Sequence, residues 1–132
     1  MKRWNGWGEE SVDSSVPKEA REFLLANLGA GNQPEDLSFE EICAKVPASA
    51  LEENSLVKTD AATRVRYARG QSLPDLISLR SGYDMTFPDA VAFPRSTEDV
   101  LELVAYARKS GASIIPYGGG TSVAGHVNLA IG

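Results

Sequence analysis

The chain has 132 residues, 42% hydrophobic and 23% charged, enough for one modest core in the ordinary globular range. A formal net charge of −5 argues against the broad basic field that draws nucleic acid or anionic lipid, so no nucleic-acid partner is expected. A single cysteine, Cys43, excludes an internal disulfide, and its place on an apolar helical stripe suits packing better than reactivity.

The opening Met1-Lys2-Arg3-Trp4-Asn5-Gly6-Trp7-Gly8 carries charge but no apolar signal core, and no apolar run reaches membrane-spanning length. A soluble, cytoplasmic protein is expected, with peripheral membrane contact left open. Pro17 then enters a helical pattern in which Ala20, Phe23, Leu24 and Leu28 share a face, ended by Gly29 or Gly31. After a break at Pro34-Glu35-Asp36, Ser38 and Glu41 form a capping box before the stripe Phe39, Ile42, Cys43, Val46, and Pro47 is expected to stop that helix. Residues 48–63 read mostly as loop with room for one helical turn, anchored by Leu51, Leu56 and Val57, and residues 64–69 are too few to assign. Ser72 and Asp75 cap a helix with Pro74 in its first turn, with Leu73, Leu76 and Ile77 expected inward and Gly82 at its end.

The last third has the clearest pattern. Ala90-Val91-Ala92-Phe93 reads as a short strand. Ser96 and Asp99 cap a long helix whose Val100, Leu103, Val104 and Ala107 form the inner stripe, and Gly111 supplies its C-terminal cap. Ala112-Ser113-Ile114-Ile115-Pro116 reads as a second strand, so residues 90–116 are expected to form a parallel βαβ unit. Two parallel strands are too small a sheet to stand alone, and Asn128-Leu129-Ala130-Ile131 reads as the possible start of another element, so the chain is expected to be the front of a longer protein.

Directly after that unit comes Pro116-Tyr117-Gly118-Gly119-Gly120-Thr121-Ser122-Val123. Glycines allow positive φ and close backbone approach, so several N–H groups can face one anion, with Thr121 and Ser122 adding hydroxyl donors; a pyrophosphate fits. A dinucleotide fingerprint would need glycine where Val123 stands, and a phosphate loop of the Gly-Lys-Ser/Thr type would need a lysine, of which none follows Lys109. A glycine-rich turn that merely joins two elements is the plainer alternative.

The runs Pro88–Pro94, Ser96–Val100 and Ile115–Val123 resemble the opening of the FAD domain in the vanillyl-alcohol-oxidase family, with its PCMH-type fold. Arg3–Gly8, Arg64-Val65, Arg69-Gly70 and Leu79–Gly82 are similar to the region preceding that domain in the alkyldihydroxyacetonephosphate synthases. The resemblance implies an α+β fold: a helical region over residues 1–86, then the first βαβ unit of an FAD-binding domain over 87–132, incomplete at its C-terminus. It implies that Pro116, Tyr117, Gly118, Gly119, Gly120, Thr121, Ser122 and Val123 wrap the FAD pyrophosphate. No histidine lies in residues 116–122, so attachment is expected to be non-covalent. Such synthases exchange the acyl chain of acyl-dihydroxyacetone phosphate for a fatty alcohol in ether-lipid synthesis. The alternatives are an FAD-linked dehydrogenase of 2-hydroxy acids, which shares the loop, and a truncated, inactive module.

The resemblance places no catalytic residue within this chain, and one histidine makes no metal site. The chain alone is therefore expected to be inactive and to bind FAD weakly, with substrate engaged only in the full-length protein. His126 is expected to pack in its loop or face solvent. Trp4 and Trp7 should pin the terminus, and arginines 64, 66, 69 and 80 should form a solvated face rather than an anion site.

Overall fold

The computed structural model describes residues 2–13, 15–32 and 35–129; Pro34 of the expected break, and Ala130 and Ile131 of the expected last element, lie outside these. The first helix, α1 (Lys18–Leu28), follows Pro17 and ends at Gly29, whose φ of 78° only glycine adopts without strain. Its apolar stripe forms as expected but covers nothing: no residue of α1 is buried, and Phe23 and Leu28 are 67% and 79% exposed.

Helix α2 (Phe39–Ala44) shows both halves of the Ser38–Glu41 capping box, Glu41 N–H donating to Ser38 Oγ and Ser38 N–H to Glu41 Oε2. It ends at Lys45, ahead of Pro47, and buries Ile42 completely. Cys43 is half-buried, and burial raises its thiol pKa, which agrees with a packing role.

The stretch expected to be loop contains more structure than its polar composition suggests. Asn54 Oδ1 accepts the N–H groups of Leu56 and Val57, turning the chain into β1 (Val57–Lys58). Asp60 Oδ1 then accepts Thr63 N–H at 2.8 Å and caps α3 (Ala61–Arg66), which takes in Arg64 and Arg66 of the unassigned stretch.

Helix α4 (Leu73–Ser81) carries the Ser72–Asp75 box and ends on left-handed Gly82. Its inward face is Asp75, Leu76 and Leu79, while the expected Leu73 and Ile77 are exposed. Leu73 and Ile77 stand one turn apart on the same stripe, so a rotation that buries Leu76 and Leu79 turns both outward. Helix α5 (Thr97–Ser110) is capped by Ser96 and closed by Gly111 at φ 72°, with Ala107 buried and Val100 still 46% exposed.

Strand β2 (Val91–Ala92) forms where expected, but its partner is β1, antiparallel, with Val57 opposite Ala92 and Lys58 opposite Val91. Residues 112–116 join no sheet among the described residues, so the expected parallel βαβ pairing is absent. A strand requires a neighbour to take its N–H and C=O groups, and in this chain β2 finds one upstream while Ile114 and Ile115 stay largely exposed. The result is an incomplete α+β domain around a small core of Ile42, Val57, Val65, Ala68, Leu76, Leu79, Ala107 and Val127. No helix among the described residues is long and apolar enough to cross a membrane.

Candidate functional site

The glycine loop lies over the α3–α4 connection, and its residues divide into an anchored set and an open set. Tyr117 is half-buried and Gly120 buried, whereas Pro116, Gly118, Gly119, Thr121 and Val123 are exposed and Ser122 is between. Gly120 alone of the three glycines has positive φ, 65°, and a Cβ there would lie 2.2 Å from the Tyr117 hydroxyl. Around Gly118 a Cβ would meet nothing within 4 Å, and at Gly119 only Thr121 Cγ2 at 3.8 Å. Glycine at 120 thus serves the fold, while glycine at 118 and 119 leaves free room on the solvent side.

Among the described residues, the N–H groups of Gly118, Gly119, Gly120 and Thr121 have no hydrogen-bond acceptor. Successive donors without partners, with open space at Gly118 and Gly119, are a backbone arrangement that an anion with several oxygens satisfies. Ser122 Oγ adds a hydroxyl, held 3.2 Å from His126 Nδ1; His126 is exposed, in keeping with its expected role in the loop.

The anchored side is fixed by residues distant in sequence. Ser122 C=O accepts Gln71 N–H at 2.7 Å, and a Cβ on Gly70 would come within 2.3 Å of that carbonyl oxygen, so the two segments touch backbone to backbone. Asn128 bridges Gly70 N–H and Asp75 Oδ1, at 3.3 and 2.7 Å. Burial alone would raise the Asp75 carboxyl pKa, but hydrogen bonds from Ser72 and Asn128, with the nearby Arg69 charge, hold it below the ordinary carboxylate value. The Tyr117 ring meets Tyr67 edge-on at 5.3 Å, and Tyr67 meets Phe93 at the same distance. Burial, reinforced by the Asp75 charge, raises the Tyr117 phenol pKa.

The N-terminal segment reaches the same place. Lys2 forms an antiparallel bridge with Glu9, Trp4 packs on Phe39 at 5.5 Å, and Trp7 Nε1–H donates to Gln71 C=O, so the tryptophans do pin this segment. Lys2 Nζ donates to the Tyr117 hydroxyl at 2.5 Å, which in turn donates to Arg69 C=O at 3.1 Å.

Arg64, Arg66 and Arg69 depart from the expected solvated face, whereas Arg80 is exposed as expected. Arg64 is 2% exposed, its Nε and Nη1 donating to Pro88 C=O and Pro47 C=O at 2.6 and 2.7 Å. Arg66 bonds Lys2 C=O and Glu10, Arg69 bonds Asp84 C=O and faces Asp75, and Arg80 pairs with Asp36. Alternating charge in residues 64–69 reads as surface because the carbonyls that receive these guanidiniums are scattered along the chain. Lys2, Gly70, Gln71 and Asn128 carried no site signal in the sequence for the same reason. No cluster of metal-ligating side chains occurs among the described residues.

Residues 88–131 match the FAD binding domain family. Alkyldihydroxyacetonephosphate synthase of Caenorhabditis elegans is 27% identical over 149 aligned positions, covering 92% of this chain and 25% of that protein. A solved alkyldihydroxyacetonephosphate synthase superposes with a TM-score of 0.76 at 26% identity, over 98% of this chain and 30% of the other. The mitochondrial D-lactate dehydrogenase (cytochrome) of Arabidopsis thaliana is 43% identical over 42 residues, 32% of this chain and 7% of the relative. The chain thus spans about a quarter of the C. elegans synthase.

Proposed function

Taking residues 88–131 as part of an FAD binding domain in a chain similar to alkyldihydroxyacetonephosphate synthase, we infer that residues 116–123 hold the pyrophosphate of a non-covalently bound FAD. The observation that carries this reading is the run of backbone N–H groups, Gly118 to Thr121, that find no acceptor among the described residues, with open space at Gly118 and Gly119. Gly118 and Gly119 admit the phosphates closely, Thr121 and Ser122 offer hydroxyls, and Tyr117 with Gly120 holds the loop's inner side. FAD, when bound, supplies the redox-active ring system that polypeptide side chains lack.

The parent activity proposed is that of an ether-lipid synthase, exchanging the acyl group of an acyl-dihydroxyacetone phosphate for a fatty alcohol. Similarity to the C. elegans synthase runs along 92% of the chain, whereas similarity to the D-lactate dehydrogenase spans 32%. This breadth favours the synthase reading over a 2-hydroxy-acid dehydrogenase. The division at residues 86/87 into a helical region and an FAD-binding opening belongs to the same proposal.

The test is purification of the full protein, acid precipitation, and measurement of flavin in supernatant and pellet. Stoichiometric FAD in the supernatant is expected. Flavin retained in the pellet would refute non-covalent binding, and no flavin in either fraction, even after incubation with FAD, would refute the loop assignment. Incubation with acyl-dihydroxyacetone phosphate and labelled fatty alcohol, beside D-lactate with an electron acceptor, separates the two activities.

A further inference from the structure

We propose that Lys2 is a positioning residue for the glycine loop, setting FAD affinity from the N-terminal segment through the Tyr117 hydroxyl; this rests on the pyrophosphate reading above. The loop has one inward side chain, Tyr117, and one buried glycine, Gly120, and the two are in contact: space for a Cβ on Gly120 is taken by the phenol. The position of the phenol therefore dictates where the backbone of Gly120 runs, and with it the neighbouring N–H groups.

Three contacts hold that phenol. Its ring sits edge-on to Tyr67, its O–H donates to Arg69 C=O, and its oxygen accepts from Lys2 Nζ. The first two come from the residues just after α3. Lys2 is the only charged donor among these three contacts, so its bond to the phenol oxygen is charge-assisted.

The lysine is itself held from three directions. Its backbone bridges to Glu9, its carbonyl accepts from Arg66 Nη1, and the following residue Arg3 donates its N–H to Gly8 C=O at 3.0 Å. A cation fixed in this way delivers its hydrogen bond at low entropic cost, and the segment that fixes it touches the loop's other support, Gln71, through Trp7. The N-terminal segment thus braces the loop from beneath while leaving its outer surface for the cofactor.

The experiment uses the full protein with Lys2→Met, Lys2→Arg, Tyr117→Phe and Lys2→Met/Tyr117→Phe, measuring the FAD dissociation constant by titration of the apoprotein and the apoprotein melting temperature. Lys2→Met is expected to weaken FAD binding roughly tenfold or more. Lys2→Arg should recover most of this, and the double variant should bind no worse than Tyr117→Phe, because the lysine acts only through the hydroxyl. Wild-type affinity in Lys2→Met, or fully additive losses in the double variant, would overturn the proposal. So would a loss of affinity that arginine does not relieve and that follows a fall in apoprotein melting temperature. Exchange of the Gln71 amide proton, held by Ser122 C=O, gives a flavin-free readout and should accelerate in Lys2→Met. If the wild-type protein took up no FAD, the pyrophosphate reading would fall; unchanged exchange in Lys2→Met would dismiss the brace separately.

Discussion

Asn128 Nδ2–H donates to Asp75 Oδ1 at 2.7 Å, joining the segment after the glycine loop to the first turn of α4 across 53 residues of sequence. The same carboxylate closes the capping box with Ser72, so one buried acid both starts a helix and seats the far end of the loop.

Replacing Asp75 with alanine is expected to cost about 2–4 kcal/mol, since it removes several bonds to a buried charge and leaves Arg69 facing none. The pH dependence has a definite sign. The folded pKa is lowered, so the contribution is full above the unfolded value of about 3.9 and is lost as pH falls through the lower folded value. Urea unfolding of wild type and Asp75→Ala between pH 7 and 2 checks this: the difference in stability should shrink toward the acid end.

The two glycine environments predict different failures. Gly119→Val, with room for its side chain in the apoprotein, should abolish FAD retention while far-ultraviolet dichroism stays close to wild type. Gly120→Val meets the Tyr117 hydroxyl at once and takes an unfavourable left-handed φ, so it should lower the melting temperature as well. Flavin absorbance after desalting, alongside thermal melts, separates the two cases; wild-type flavin occupancy in Gly119→Val would remove the loop from the cofactor site.

Ser122→Ala tests a smaller term. Its Oγ offers at most one bond to a phosphate oxygen, so FAD affinity should fall by roughly 1–3 kcal/mol. The backbone carbonyl that receives Gln71 N–H is untouched, so the melting temperature of the apoprotein should change little.

Arg64→Met keeps length and apolar bulk but gives up the bonds to Pro47 and Pro88 carbonyls. Two bonds from a buried guanidinium are lost, and a loss of about 1–3 kcal/mol in chemical unfolding is expected. Arg64→Lys, a single point donor in place of a fork, should recover only part of it.

What the sequence disclosed was mostly local. Ser38 with Glu41, Ser72 with Asp75, and the terminal glycines 82 and 111 act on neighbours a few positions away, and each appears in the structure as its spacing implies. Val57 and Lys58 did not reveal themselves as a strand because their partners, Ala92 and Val91, lie more than thirty positions downstream and the pair is only two residues long. Residues 112–116 failed in the opposite sense: a short segment centred on Ile114 and Ile115 that pairs with no strand among the described residues. For the loop, the glycine run marked the place, and the structure added the distinction between Gly120 and its two neighbours. Its supports could not be read, because Lys2, Gly70 and Asn128 acquire their roles only when three distant segments meet.

The pinned N-terminal segment has an optical consequence. The chain's two tryptophans, Trp4 and Trp7, both lie in that segment, one tilted against Phe39 and the other bonded to the carbonyl of Gln71, which borders the loop. Indole emission from this chain is therefore a local signal rather than an average over the fold. Excitation at the red edge of the indole band would follow the seating of the glycine loop from within, with no label attached.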